Sequence, residues 1–298
     1  MNKNFKIVTI VGSPHDKNSN TRTLVEDFVE EMSLAGLDLE HQVFSLGKYN
    51  VEPCNGCWAC TNAKKCPIDD DLTEIKKTIL ECDMIILASP VYTNHVTAQM
   101  KAFCDRLFTW SRIFPLLGKY SLSACTTGNE GMENIEKFLQ KMQATYGTAS
   151  LGHIQSMGGF TPGFFPFREK ARKRNKKIAT KAVKIIKSNK KLPINSKQKE
   201  MFRVMKSKMS GQNTFRYIAD RDDKSNFAPP ALKLNIIKKI LRKVNITDED
   251  IQKVSKMMSF EYSWWKNRDW FRAKSFKDIA NMLEPEGCNV KGQLIIEK

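Results

Sequence analysis

Between residues 5 and 156, short apolar runs alternate with stripes of helical period, and that alternation leaves few folds open. Phe5–Val11 is a largely apolar run, as expected of a strand covered on both faces. Residues 21–35 carry Leu24, Val25, Phe28, Val29 and Met32 at helical spacing. Residues 41–46, 84–88, 120–125 and 150–156 read as four further strands, with helices over 96–110 and 132–146 between the later ones. Asp71-Leu-Thr-Glu74 has the form of a capping box and opens a helix towards Leu80. Such alternation predicts right-handed βαβ units and a doubly wound, five-stranded parallel sheet of α/β class.

In that arrangement, which is flavodoxin-like, ligands sit at the carboxyl ends of the strands. Three loops there are informative. Gly12-Ser13-Pro14-His15-Asp16-Lys17-Asn18-Ser19-Asn20-Thr21 is rich in hydroxyls and amides and leads into a helix start, where backbone N–H groups hold phosphate. It has neither the G-x-G-x-x-G dinucleotide fingerprint nor the Walker-A lysine, which favours a mononucleotide phosphate. An ordinary turn with Asn20 or Thr21 as a helix cap is the alternative. Ser89-Pro90-Val91-Tyr92-Thr93-Asn94 offers a flat wall with backbone donors, and Thr126-Thr127-Gly128 is positioned to close over the same ligand.

GSPHDKNSNT, then C-x-x-C-x-x-C-x5-C ahead of DDD, then SPVYTNHVTAQMKAFCDR, together resemble the NADPH-dependent FMN reductase family, and within it the iron–sulfur flavoprotein branch. The resemblance spans roughly residues 5–160. It implies FMN held noncovalently and electron transfer with NAD(P)H or a reduced protein as donor and a small molecule or protein as acceptor. Carried over, Ser13, His15, Ser19, Asn20 and Thr21 hold the FMN phosphate. Pro90, Val91, Tyr92, Thr93 and Asn94 border the flavin ring, and Thr126, Thr127 and Gly128 line its far side. The family commonly has Arg where this chain has His15, which implies a weaker or pH-dependent phosphate contact there. No side-chain nucleophile or general base is expected, because the cofactor carries the chemistry.

Cys54, Cys57, Cys60 and Cys66 fall within thirteen residues. Compact spacing of this kind suits a cubane cluster, whereas zinc sites more often pair two separated Cys-x-x-Cys arms. In the branch resembled, the motif carries a [4Fe–4S] cluster, with these four residues as its ligands. A cysteine-rich loop that shapes the pocket or oxidises reversibly fits the same spacing. The scattered Cys82, Cys104 and Cys125 lie in apolar segments and read as inert core thiols.

Residues 1–190 therefore form an FMN-binding domain, ending in a basic helix over 168–187, and residues 191–298 a mostly helical, aromatic-rich, basic extension. Helical stretches are expected near 197–209, 231–244 and from 247, with Tyr262, Trp264, Trp265, Trp270 and Phe271 in the aromatic segment 260–276. The net charge of +17 belongs to this half: residues 1–165 hold 15 Lys and Arg against 18 Asp and Glu, residues 166–298 hold 34 against 14. Solvated helix faces account for it, and without zinc-finger or RNP-like patterns nucleic acid is not an expected partner. A homo-oligomer is expected. No run approaches the ~18 apolar residues of a membrane span, and no signal-peptide pattern opens the chain, so a cytoplasmic protein is expected. The leading function is an FMN-dependent NAD(P)H oxidoreductase. The alternatives are a non-enzymatic flavin and iron–sulfur electron carrier, and a flavin-binding regulator that contacts nucleic acid.

Overall fold

The computed structural model describes residues 4–62, 66–188, 196, 198–207 and 247. In chain order they form β1 (Phe5–Val11), α1 (Asn20–Leu34), β2 (Leu39–Ser45), α2 (Ala59–Asn62), α3 (Leu72–Glu81), β3 (Met84–Pro90), α4 (Ala98–Arg106), α5 (Trp110–Ile113), β4 (Tyr120–Thr127), α6 (Met132–Tyr146), β5 (Ala149–Met157) and α7 (Arg168–Lys187). The strands pair in parallel in the order β2-β1-β3-β4-β5, the flavodoxin-like topology.

Period-2 alternation along the strands fills both faces of this sheet. Val8 and Ile10 of β1, with Ile85 and Leu87 of β3, pack with Ile75, Ile79, Phe103, Trp110, Ile135 and Leu139 from α3 to α6. Ile7 and Val11, with Met84 and Ile86, face Leu24, Phe28 and Met32 of α1 and Ala179 and Val183 of α7. Charge pairs bind these last two helices along their rims: Arg168 donates to both carboxylate oxygens of Asp27 at 2.9 and 2.7 Å, and Arg172 to Glu31 at 2.9 Å.

Two local expectations need correction. The helix expected over 96–110 breaks after Arg106 and resumes at Trp110; the apolar stripe runs on through the break because Leu107 and Trp110 are both buried. Asp71 precedes α3 but makes no side-chain cap. Its carboxylate accepts from Asn50 N at 2.7 Å, and Asp70 Oδ1 accepts from Leu72 N at 3.2 Å.

The described residues fall into two compact units: residues 4–55, 68–188 and 196 in one, and residues 56–62, 66–67, 198–207 and 247 in the other. In the second, the helical residues 198–207 bury Gln198, Phe202 and Met205, one helix face. The expectations for 231–244 and 260–276 lie outside the described residues. No helix among the described residues is long and apolar enough to cross a membrane.

His41 on β2 is half-buried, its Nε2 2.8 Å from Thr9 Oγ1, and desolvation lowers its pKa to about 4. Between about pH 6.5 and 4 the unfolded chain binds this proton and the fold does not, so stability falls as pH drops through that window. Urea midpoints measured from pH 7 to pH 5 should decline, and His41→Gln should flatten the decline.

Candidate functional site

The end of β1 is pressed against its neighbours. Gly12 N donates to Ala88 O at 2.8 Å, and a Cβ at Gly12 would sit 2.7 Å from Met100 Cβ and 2.9 Å from Thr97 Oγ1. Only glycine allows that approach. It brings the loops after β1 and β3 side by side. Val91 N then donates to Thr126 O at 2.8 Å and Gly158 N to Thr127 O at 2.8 Å, which aligns the loops after β4 and β5.

These four loops enclose an open cavity of about 180 Å³, lined among others by Ser13, His15, Ser19, Asn20, Thr21, Pro90, Val91, Tyr92, Thr126, Thr127 and Gly128. Eleven of the thirteen residues expected to hold a flavin meet there. Thr93 and Asn94 do not. They form the tip of a tight turn in which Tyr92 N donates to His95 O at 2.8 Å and His95 N to Tyr92 O at 3.0 Å. Both have left-handed φ, +47° and +61°, as a type I′ turn requires. Asn94 packs on Gly131 and accepts from Asn134 Nδ2 at 3.2 Å, so the turn braces the β4–α6 loop.

Sequence reasoning missed Asn18 and the Gly159, Phe160, Thr161 and Pro162 wall. The available signal was position: this Gly- and Pro-rich turn follows the fifth strand and so emerges at the same end of the sheet.

At the cavity floor, side chains hold the scaffold and backbone groups remain open. Ser19, neither Asn20 nor Thr21, is the N-cap of α1; its Oγ accepts from Arg22 N at 3.2 Å. Thr21 Oγ1 and Thr126 Oγ1 share a buried 2.6 Å hydrogen bond. Asn20 Nδ2 turns away from the helix axis to the carbonyls of Gly158, Thr161 and Phe164. The backbone N–H groups of Asn20 and Thr21 have no acceptor among the described residues. Two unmatched donors at the positive end of a fifteen-residue helix suit a phosphate. His15 Nε2 lies 3.3 Å from Tyr92 Oη, joining the first and third loops at the cavity rim. The donors and the half-exposed Tyr92 ring fit a phosphate-bearing planar cofactor.

The four-cysteine loop is fixed at its base. Arg106 Nη1 and Nη2 grip Asp70 at 2.6 and 3.1 Å, both side chains essentially buried, and Arg106 Nη1 also donates to Glu52 O at 2.8 Å. Asp70 Oδ2 in turn accepts from Glu52 N at 2.9 Å. Cys54 and Cys57 are exposed, while Cys60 and Cys66 are half-buried. Among the described residues no three His, Cys, Asp or Glu side chains are placed to hold a metal. Four thiols suit an iron–sulfur cluster by type and by their spacing along the chain. Burial pushes the thiols of Cys82, Cys104 and Cys125 up to about 12, as inert core cysteines require.

A five-stranded parallel sheet of this order with its cavity at the strand ends defines a flavodoxin-like protein. Residues 5–162 match the model of the NADPH-dependent FMN reductase family, and the chain belongs to that family. An iron-sulfur flavoprotein of Archaeoglobus fulgidus is 33% identical over 155 residues, 52% of this chain and 69% of that protein. One from Methanosarcina thermophila is 33% identical over 160 residues, covering 53% of this chain and 82% of its own. A third, from Methanocaldococcus jannaschii, is 42% identical over 102 residues, 34% of this chain and 51% of that protein.

Removing one partner of the buried pair strands the other's charge. Arg106→Met or Asp70→Ala should therefore each lower unfolding free energy by about 3–5 kcal/mol in urea titrations. The double variant Asp70→Leu/Arg106→Met should recover much of that loss.

Proposed function

We propose that this protein is an FMN-dependent oxidoreductase, taking electrons from NAD(P)H or a reduced protein and passing them to a small-molecule or protein acceptor. The observation that carries the reading is the pair of unmatched N–H donors of Asn20 and Thr21, opening into a cavity walled by the loops after β1, β3, β4 and β5. Membership of the FMN reductase family supports it. Backbone N–H groups at the start of α1, with Ser13, His15, Asn18 and Ser19 around them, hold the phosphate. Pro90, Val91 and Tyr92 border the ring on one side, and Thr126, Thr127 and Gly128 on the other. Thr93 and Asn94 shape that border from behind, through the turn that sets Tyr92. FMN, when bound, supplies the redox chemistry; the chain's own groups orient it and limit access of water.

Heat release of the cofactor and chromatography should yield FMN, with FAD or no flavin overturning the reading. Thr21→Pro removes one N–H at a helix position that tolerates proline, and should weaken FMN binding by about tenfold, the worth of one charge-assisted hydrogen bond. Thr21→Val keeps the N–H, loses only the bond to Thr126, and should cost much less. If FMN is bound but neither NADH nor NADPH reduces it, the donor is a reduced protein, and the electron-carrier reading is then favoured.

We further propose that Cys54, Cys57, Cys60 and Cys66 act as one redox unit. The naming of the relatives as iron-sulfur flavoproteins and the spacing of the thiols support a [4Fe–4S] cluster. The staple at Asp70 keeps both ends of the loop together for it. Protein purified without oxygen should contain iron, and Cys60→Ser should remove most of it while FMN stays. Iron that survives loss of any one of the four refutes the cluster. Its absence from the wild type leaves the reversibly oxidised loop, read as disulfide formation on exposure to oxidant.

A further inference from the structure

Phe160 is 85% exposed, the extreme among the large apolar side chains of the described residues, yet it lines the cavity. Its ring approaches Gly128 closely: a Cβ there would be 2.5 Å from Phe160 Cε1 and 2.6 Å from Cδ1. A ring so open to water gains little from burial, so its position has to be imposed by the backbone that carries it. One side chain reaches three points of that backbone, its two N–H donors shared among three carbonyls. Asn20 Nδ2 donates to Gly158 O, to Phe164 O at 3.0 Å and to Thr161 O at 3.2 Å, and these carbonyls bracket Phe160 on both sides. Gly159 completes the fold of the loop, with φ +73° and a would-be Cβ only 2.9 Å from Phe164 O.

We propose that Asn20 is a positioning residue that clamps the 158–164 loop and thereby sets Phe160 as a binding wall for flat aromatic acceptors. The ring-binding half rests on the flavin reading above; the clamp does not. Tyr92, 43% exposed on the loop after β3, lines the same cavity, so a planar ring entering it meets aromatic surface from two loops. A small hydrated anion gains nothing from either ring. Asn20 also contributes its backbone N–H to the phosphate end, so a single residue joins the anion site to the acceptor wall.

Two measurements on the full chain test this. Chymotrypsin cleavage within 158–168, mapped by mass spectrometry, reports the clamp. Asn20→Ala should speed cleavage by about tenfold, and Asn20→Asp, which has the same shape but sets a carboxylate against three carbonyls, by at least as much. The second measurement is the efficiency of menadione reduction relative to ferricyanide, with NADPH or NADH as donor. Each nicotinamide oxidised takes up one proton from solvent in converting one menadione to its hydroquinone, or releases one proton in reducing two ferricyanides to ferrocyanide. Phe160→Ala and Asn20→Ala should both lower the menadione-to-ferricyanide ratio by about tenfold, mainly through KM for menadione. Phe160→Ala alters an exposed side chain and keeps the test valid if the Asn20 variants misfold. Unchanged cleavage in both Asn20 variants overturns the clamp, and an unchanged ratio in Phe160→Ala overturns the wall. A wild type without flavin overturns the wall together with the flavin reading, while the cleavage comparison still decides the clamp.

Discussion

A parallel sheet buried on both faces must satisfy the polar groups within it internally, as Thr9 does with His41, and leaves chemistry open to a ligand only at the ends of its strands. β3 shows the constraint plainly: from Met84 to Ala88 each side chain packs into one core layer or the other, and none meets solvent. The polar groups gather where the strands stop, at Ser13, Ser89, Thr126 and Thr127. The glycine contact between the β1 and β3 ends, and the carbonyls of Ala88, Thr126 and Thr127, stitch those loops into one surface. The cavity is thus a by-product of how the core is covered.

Within that surface the polar side chains are largely spoken for. Ser19 caps α1, Thr21 and Thr126 join two loops, Asn20 holds a third, and Thr127 Oγ1 donates to Glu130 O at 2.6 Å. Such hydrogen bonds each contribute about 1 kcal/mol, and together they fix the loops without a bound ligand. Donors left over at the start of α1 are backbone groups whose direction is set by the helix itself. In the proposed reading a phosphate is met by atoms that need no rearrangement, which reduces the ordering cost of binding.

The strands and helices of the first half were legible because burial writes its period into the residues, period 2 in β1 and 3.6 in α1. The break between α4 and α5 was not, since Leu107 and Trp110 continue the apolar stripe across it. Site positions were legible by topology: the three loops read as ligand-binding do meet at one cavity. Individual roles were less so. Asn20 reads as an amide able to donate, but its acceptors lie at Gly158, Thr161 and Phe164, some 140 residues away, where no local pattern points. Thr93 and Asn94 sit at the tip of a left-handed turn that no local pattern announces. The cysteine spacing states which metals the thiols suit, and nothing about whether the loop has gathered them.

The staple at Asp70 gives the segment it closes a thermodynamic independence from the sheet. Chain enters at Glu52 and leaves at Asp70, and those two points are bonded to each other and to Arg106. The entropy of closing the loop is therefore met at its base, and it grows only slowly with what lies between, about 0.6 kcal/mol for each doubling of length. A change of length within residues 53–69 should therefore have little effect on the register of β2 against β1. In the proposed reading the segment is a cassette: a redox centre built on it could be gained or lost in evolution without redrawing the flavodoxin-like frame.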